Sequence, residues 1–469
     1  MTRTGTTHRI TRGGPGPAPT PRGRHGSRAA LAAALAAVLA LTATACGDDG
    51  SGAGGDRGAE GTGKGEITFW DNNGGVRTDV WKEIIARFEK AHPDIHVKYV
   101  GIPAESAQSK YDTAIQGGGL PDVGGVQTAM LAGIAAQGAL EPLDERLEGS
   151  PLDGKLNGSM LDSVRSAGGG DRLYTVPTSA NNGTLWYRTD LFRAAGLAAP
   201  TTWDRFYAAA DRLTDGARNR FGFTLRGGEG SIAPALDAMY GQSGITSFWK
   251  TSAGGATTTT VNDPRNVAAL EKYLGLYGKD TPEADVNNDF RKMVAQWDSG
   301  RIGMLSHNLG SYQEHLKALG PRRFRGLPNP ALADGTRVQV SNPVDGLGLF
   351  RSSKNKAAAW TFIEFALSHA ANSRWNRAAG AIPANTEAVG DSWVRESEAT
   401  ALAADALGDG STRIVQLPYY LPDWNTVSKA DNEPNLQKVL LGRESAKDFL
   451  DTLADQLDKA RAEWDEQRG

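Results

Sequence analysis

The chain has 469 residues, 39% hydrophobic and 22% charged, enough to bury one or two full cores and too apolar for a disordered chain. Its net charge is −3, but the first 45 residues hold six arginines and no acid, so from Cys46 onward 45 basic residues face 54 acidic ones, which excludes a nucleic-acid footprint. One cysteine excludes an intramolecular disulfide framework and any multi-thiolate metal cage.

Residues 1–28 are basic and turn-rich, and 29–45 form an uncharged Ala/Leu run, the pattern of a secretory signal's n- and h-regions. That run is 17 residues, short for a bilayer span and mostly weakly apolar alanine, so a permanent span is the poorer reading. Ala43, Thr44 and Ala45 followed by Cys46 resemble a bacterial lipobox. The resemblance implies that residues 1–45 are a signal peptide and that the sulfur of Cys46 receives a diacylglycerol, a stable anchor on the extracytoplasmic face of the cell membrane. Residues 46–65 are nearly half glycine and read as a flexible tether with a reach of about 25 Å. Gly50-Ser-Gly-Ala-Gly-Gly55 fits GxGxxG but lacks the flanking strand and helix, so it is low complexity.

Ile67-Thr-Phe-Trp70 is a short apolar run closed by the turn-forming Asp71-Asn72-Asn73-Gly74-Gly75, and Val80, Ile84, Ile85 and Phe88 mark one helix face. His92-Pro93-Asp94 stops that helix, and residues 95–100 alternate like a strand, completing a β-α-β unit. Helices are predicted near 104–116 and 128–137, a strand from Asp122, and a strand pair near 173–176 and 184–187. Later helices are clearest at 203–213, 267–277, 357–367 and 445–464, the last with Phe449, Leu450, Leu453, Leu457 and Ala460 on one face and Ser445 as its cap. Strands separated by helices predict an α/β fold with a largely parallel sheet covered on both faces.

Taken in order, Ile67-Thr-Phe-Trp70, Phe88-Glu-Lys-Ala-His-Pro-Asp-Ile95 and Gly119-Leu-Pro-Asp-Val123 resemble the opening of the extracellular solute-binding proteins of ABC sugar importers, the group that includes maltose-binding protein. Leu185-Trp-Tyr-Arg-Thr-Asp-Leu191, Gly300-Arg-Ile-Gly-Met304 and Ile382-Pro-Ala-Asn385 extend the likeness. It implies a two-lobed, type II binding-protein fold with a ligand cleft between the lobes, lobe 1 spanning 66–180 and 344–395 and lobe 2 spanning 181–343 and 396–469. It further implies a monomer that delivers its solute to ABC permease subunits.

Open α/β sheets bind ligands outside the carboxyl ends of their strands. The loops expected there carry Trp70, a flat face for a sugar ring, and Asp71, Asn72, Asn73, Gln127, Asn181, Asn182, His307 and Asn308, whose paired donors and acceptors suit vicinal hydroxyls. Trp186, Tyr312 and Trp424 add flat faces for a sugar ring, Trp424 foremost because Leu417-Pro-Tyr-Tyr-Leu-Pro-Asp-Trp424 resembles the segment that returns an aromatic to the cleft. Arginine and lysine are scarce among these loops, which favours a neutral mono- or oligosaccharide over an anion. For each asparagine the competing reading is a turn former, and only one of Trp186 and Tyr187 can face a cleft.

No HExxH, GxSxG or P-loop is present, and Pro93 keeps His92 and His96 off one helix face, so neither an enzyme, a metal site nor a cofactor is expected. Two alternatives stay open: a secreted glycoside hydrolase, whose paired carboxylates are set only by their separation in space, and a binding protein for a non-sugar solute.

Overall fold

The computed structural model describes residues 60–467 except 76, 171, 182, 342 and 409–411. The signal, the lipidation candidate Cys46, most of the tether and the candidate Asn182 therefore lie outside the described residues. In chain order the strands are β1 (Gly65–Asp71), β2 (Ile95–Gly101), β3 (Val123–Gln127), β4 (Val176–Ala180), β5 (Gly183–Arg188), β6 (Phe221–Thr224), β7 (Trp249–Thr251) and β8 (Thr257–Thr259). They continue with β9 (Ile302–Asn308), β10 (Phe324–Leu327), β11 (Arg337–Val340), β12 (Val344–Leu349), β13 (Ile382–Pro383) and β14 (Thr412–Val415).

Two sheets build two lobes. The first has six strands in the order β13-β4-β12-β3-β1-β2, the second four in the order β10-β5-β9-β6. The β-α-β unit read from the sequence is present, with β1 and β2 parallel and joined by the helix Thr78–Ala91, whose Val80, Ile84, Ile85 and Phe88 are all buried. Neither sheet is largely parallel, however. In the first, β12 runs antiparallel to both β3 and β4, and in the second β5 runs antiparallel to β9 and β10. The cause is connectivity: the chain leaves the first sheet after β4, builds the second, and re-enters as β12 from the other lobe rather than through a local crossover helix. The strand expected near 173–176 begins only at Val176, because Leu173 donates its N–H to Asp144 (2.9 Å) instead of to a neighbouring strand.

Glycines in β3 bring the loop after β1 close. A methyl on Gly125 would collide with the Asn72 amide and one on Gly124 with the Tyr111 hydroxyl, which donates to the Gly125 carbonyl at 2.9 Å. Among the described residues the first sheet gives way to the second between β4 and β5, the chain returns to the first between β11 and β12, and it leaves again after β13 through three helices to β14. The second and third passages are knitted together, since β11 pairs in parallel with β14 and the Ser341 N–H donates to the Val415 carbonyl at 2.9 Å. The last helix, Ala446–Glu466, is capped by Ser445 and buries Phe449, Leu450, Leu453, Leu457 and Ala460 as the sequence predicts.

Candidate functional site: an inter-lobe cavity and a polar cluster

A cavity of about 320 Å³ sits where the lobes meet, at the small end of the range for solute sites. Lobe 1 contributes Ala129, two residues beyond Gln127, and the second passage contributes Ser341 and Pro343. Lobe 2 supplies Arg226, Asp237, His307 and Asn308, and the C-terminal segment supplies Tyr419, Trp424, Lys429 and Glu433.

Three residues expected from the sequence thus meet here: His307 and Asn308 at the end of β9, and Trp424. Trp424 is only 6% exposed, packed edge-on against Tyr419 (5.8 Å between ring centroids) and Phe248 (6.4 Å), so it holds the C-terminal segment as well as lining the cavity. Tyr419 donates its hydroxyl to the Ser341 carbonyl at 3.0 Å, bracing this segment on the inter-lobe passage. Asn308 caps the turn that follows it, accepting from the Gly310 N–H at 3.0 Å, so the turn reading of this asparagine and its place at the cavity hold together.

Trp186 is a correction. It is fully buried, ringed by Phe324 (5.7 Å), His315 (5.2 Å) and Tyr312 (6.1 Å), and its indole N–H donates to the Asn308 carbonyl at 3.3 Å. Its alternation places it in the core of lobe 2 rather than at a cleft. Tyr312 is half-buried on the same cluster, stacked over Trp186 and absent from the cavity lining.

Trp70, Asp71, Asn72, Asn73 and Gln127 lie together at the strand ends of lobe 1. Asp71 accepts from the Tyr99 hydroxyl (2.8 Å) and the Asn73 N–H (3.0 Å), while Gln127 donates to Asp345 at 2.8 Å. Burial raises the carboxyl pKa of both Asp71 and Asp345 above the ordinary range. Trp70 is 8% exposed, in contact with Tyr111 (5.5 Å) and with the Lys110 ammonium 4.4 Å above its ring. Asn72 is buried against β3, whereas Asn181 stands apart from this group at the start of the first passage, half-buried near Gly310, with its side-chain oxygen unpartnered among the described residues. None of these residues lines the cavity.

Sequence reading missed Arg226, Asp237, Lys429 and Glu433. Arg226 stands just past β6, where the strand-end rule would have found it had 221–224 been read as a strand. Asp237 could not be found that way, being a mid-helix residue of Ile232–Ser243. Its carboxylate accepts from the Val340 N–H (2.8 Å) and the Asn329 amide (2.5 Å), and burial pushes its pKa up to about 6. His307 moves the other way, to about 3, because burial and the neighbouring Arg226 charge disfavour its protonation. The scarcity of cations noted for the candidate loops does not extend to the cavity, which holds Arg226 and Lys429. Among the described residues no cluster of three or more His, Cys, Asp or Glu could hold a metal, and no helix is long and apolar enough to cross a membrane.

Residues 74–373 match the bacterial extracellular solute-binding protein family. This chain belongs to that family. Relatives of this solute-binding protein include a putative binding protein of Brucella abortus, 24% identical over 367 residues and covering 77% of this chain and 85% of that protein. The mannitol-binding protein of Pseudomonas aeruginosa is 26% identical over 320 residues, 65% of this chain and 69% of that one. Among solved structures, the sugar-binding protein MalE of Xanthomonas citri superposes with a TM-score of 0.73 at 21% identity, covering 86% of this chain and all of that chain, which establishes the shared two-lobed fold. The family and these relatives are binding proteins.

Proposed function

We propose that this solute-binding protein captures a sugar or oligosaccharide between its lobes and presents it to an ABC permease. The lobes divide near residues 180, 343 and 395, and Cys46 carries a lipid anchor outside the cytoplasmic membrane. The observation that carries the reading is the cavity at the lobe junction, lined from both lobes and from the passage between them, with Trp424 as an apolar face among polar groups. The sugar-binding relatives support the solute class. Contacts made to both lobes at once stabilise a closed state, so the solute shifts an open-closed equilibrium without chemistry. A thermal-shift screen against mono- and oligosaccharides tests the reading, because a solute that binds only folded protein raises the midpoint. The bound sugar should be recovered unchanged; shorter products whose formation is lost on substituting one carboxylate would make the protein a hydrolase. Labelling with a fatty-acid probe that disappears in Cys46→Ala tests the anchor.

A further inference from the structure

Among the described residues neither cation of the cavity wall, Arg226 or the exposed Lys429, makes an ion pair, and Arg226 is the one held by the fold. Arg226 is followed by Gly227 and Gly228, where added methyls would collide with the backbone of residues 285–288, so this turn packs without side chains and delivers Arg226 to the cavity. Its Nη1 donates to the Gly230 carbonyl at 3.3 Å and its Nη2 lies 3.3 Å from Nδ1 of His307, which leaves a second N–H on each terminal nitrogen. It makes no ion pair with any carboxylate among the described residues. The acids near enough to influence it are Asp289, Glu433 and Glu229. Glu433, which lines the same cavity, accepts from the Gly230 N–H at 2.7 Å, Asp289 caps the helix Phe290–Asp298 through the Lys292 N–H at 2.8 Å, and Glu229 is exposed, so these carboxylates act on Arg226 from a distance without an ion pair to it.

His307 reinforces this polarity. Held neutral beside the guanidinium, it uses Nδ1 as an acceptor and carries its hydrogen on Nε2. Arg226, His307 and the Lys429 ammonium therefore make this stretch of wall rich in donors. A hydroxyl brings a hydrogen with every oxygen, whereas a carboxylate brings two acceptor oxygens and none, and it matches the planar guanidinium fork. A buried charge is retained at tolerable cost only when it is paired, so a solute that fills the cavity must bring Arg226 an acceptor.

We propose that the solute is an acidic sugar, a uronate or an oligosaccharide bearing one, whose carboxylate is received by Arg226 with His307 and Lys429 beside it. This rests on the sugar-binding reading and narrows it. Calorimetry on the full chain with matched pairs, glucose against glucuronate, galactose against galacturonate, and a neutral disaccharide against its uronate counterpart, tests both. The expected result is at least tenfold tighter binding of an acid than of its neutral twin. Arg226→Gln should collapse that ratio toward one and Arg226→Lys should keep part of it, with unfolding curves confirming that each variant is folded. A neutral twin that binds as tightly as its acid in the wild-type protein overturns the proposal and leaves the sugar reading standing. Binding confined to non-sugar solutes overturns both. A preference for the acid that survives intact in Arg226→Gln removes the role assigned to this arginine.

Discussion

The two polar groups at the strand ends differ in how their hydrogen bonds are spent. In lobe 1, Asp71 already accepts from Tyr99 and Asn73, and Asp345 from Gln127, so that cluster closes on itself and holds its shape with no solute. In the cavity, Arg226 and His307 keep donors open, and Trp424 combines anchoring of the C-terminal segment with a face on the cavity. A group whose partners are all internal acts as scaffold; one with unspent donors is completed by something that binds.

The largest effect expected separates two tryptophans that look alike in the sequence. Trp186→Ala should cost about 3–5 kcal/mol of stability in urea unfolding, the usual loss for a fully buried large aromatic, and should affect solute binding only through that loss. Trp424→Ala should also lower stability and, in protein that remains folded, weaken binding by about 1–3 kcal/mol by calorimetry. Equal binding in wild-type and Trp424→Ala protein would detach this aromatic from the site.

The next test uses pH. Burial raises the Asp237 carboxyl from 3.8 to about 6, so between about pH 4 and 6 the unfolded chain ionises while the folded one stays protonated. Stability contributed by this group is therefore present below pH 4 and lost as pH rises through 6, by up to about 3 kcal/mol. Asp285, also raised to about 6 by burial, adds a loss of the same sign. Subtracting the pH profile of Asp237→Asn from that of wild type should leave a curve falling across this window; parallel profiles would show that Asp237 ionises normally.

Smaller effects probe the closed cluster. Asp71→Ala leaves the Tyr99 hydroxyl and the Asn73 N–H without their acceptor and should cost about 1–3 kcal/mol of folding stability. Asn72→Ala should leave binding within about 0.5 kcal/mol of wild type by calorimetry, less than one neutral hydrogen bond, because Asn72 does not line the cavity. A larger loss of affinity in Asn72→Ala than in Trp424→Ala would move the solute from the cavity toward the lobe-1 cluster.

Much of this was legible in local sequence. The 3.6-residue spacing of Val80, Ile84 and Phe88, the capping serine of the last helix and the strand-turn pattern at Ile67–Gly75 each record an interaction completed within a few residues, so the chain itself specifies them. The ordered likeness along the chain carried the two-lobed fold. Tertiary structure decided what depends on segments distant in sequence. β12 reverses direction in the first sheet because it arrives from the other lobe, more than 160 residues after β4. Trp186 and Trp424 are both large apolar side chains near polar loops, and only the packing of Tyr312, His315 and Phe324 around one of them makes it core. Asp237 and Arg226 were hidden for the same reason: whether a charge is spent inside the fold or left facing a cavity depends on partners such as Val340 and His307, 103 and 81 residues distant in sequence and brought together only when lobe 2 is folded.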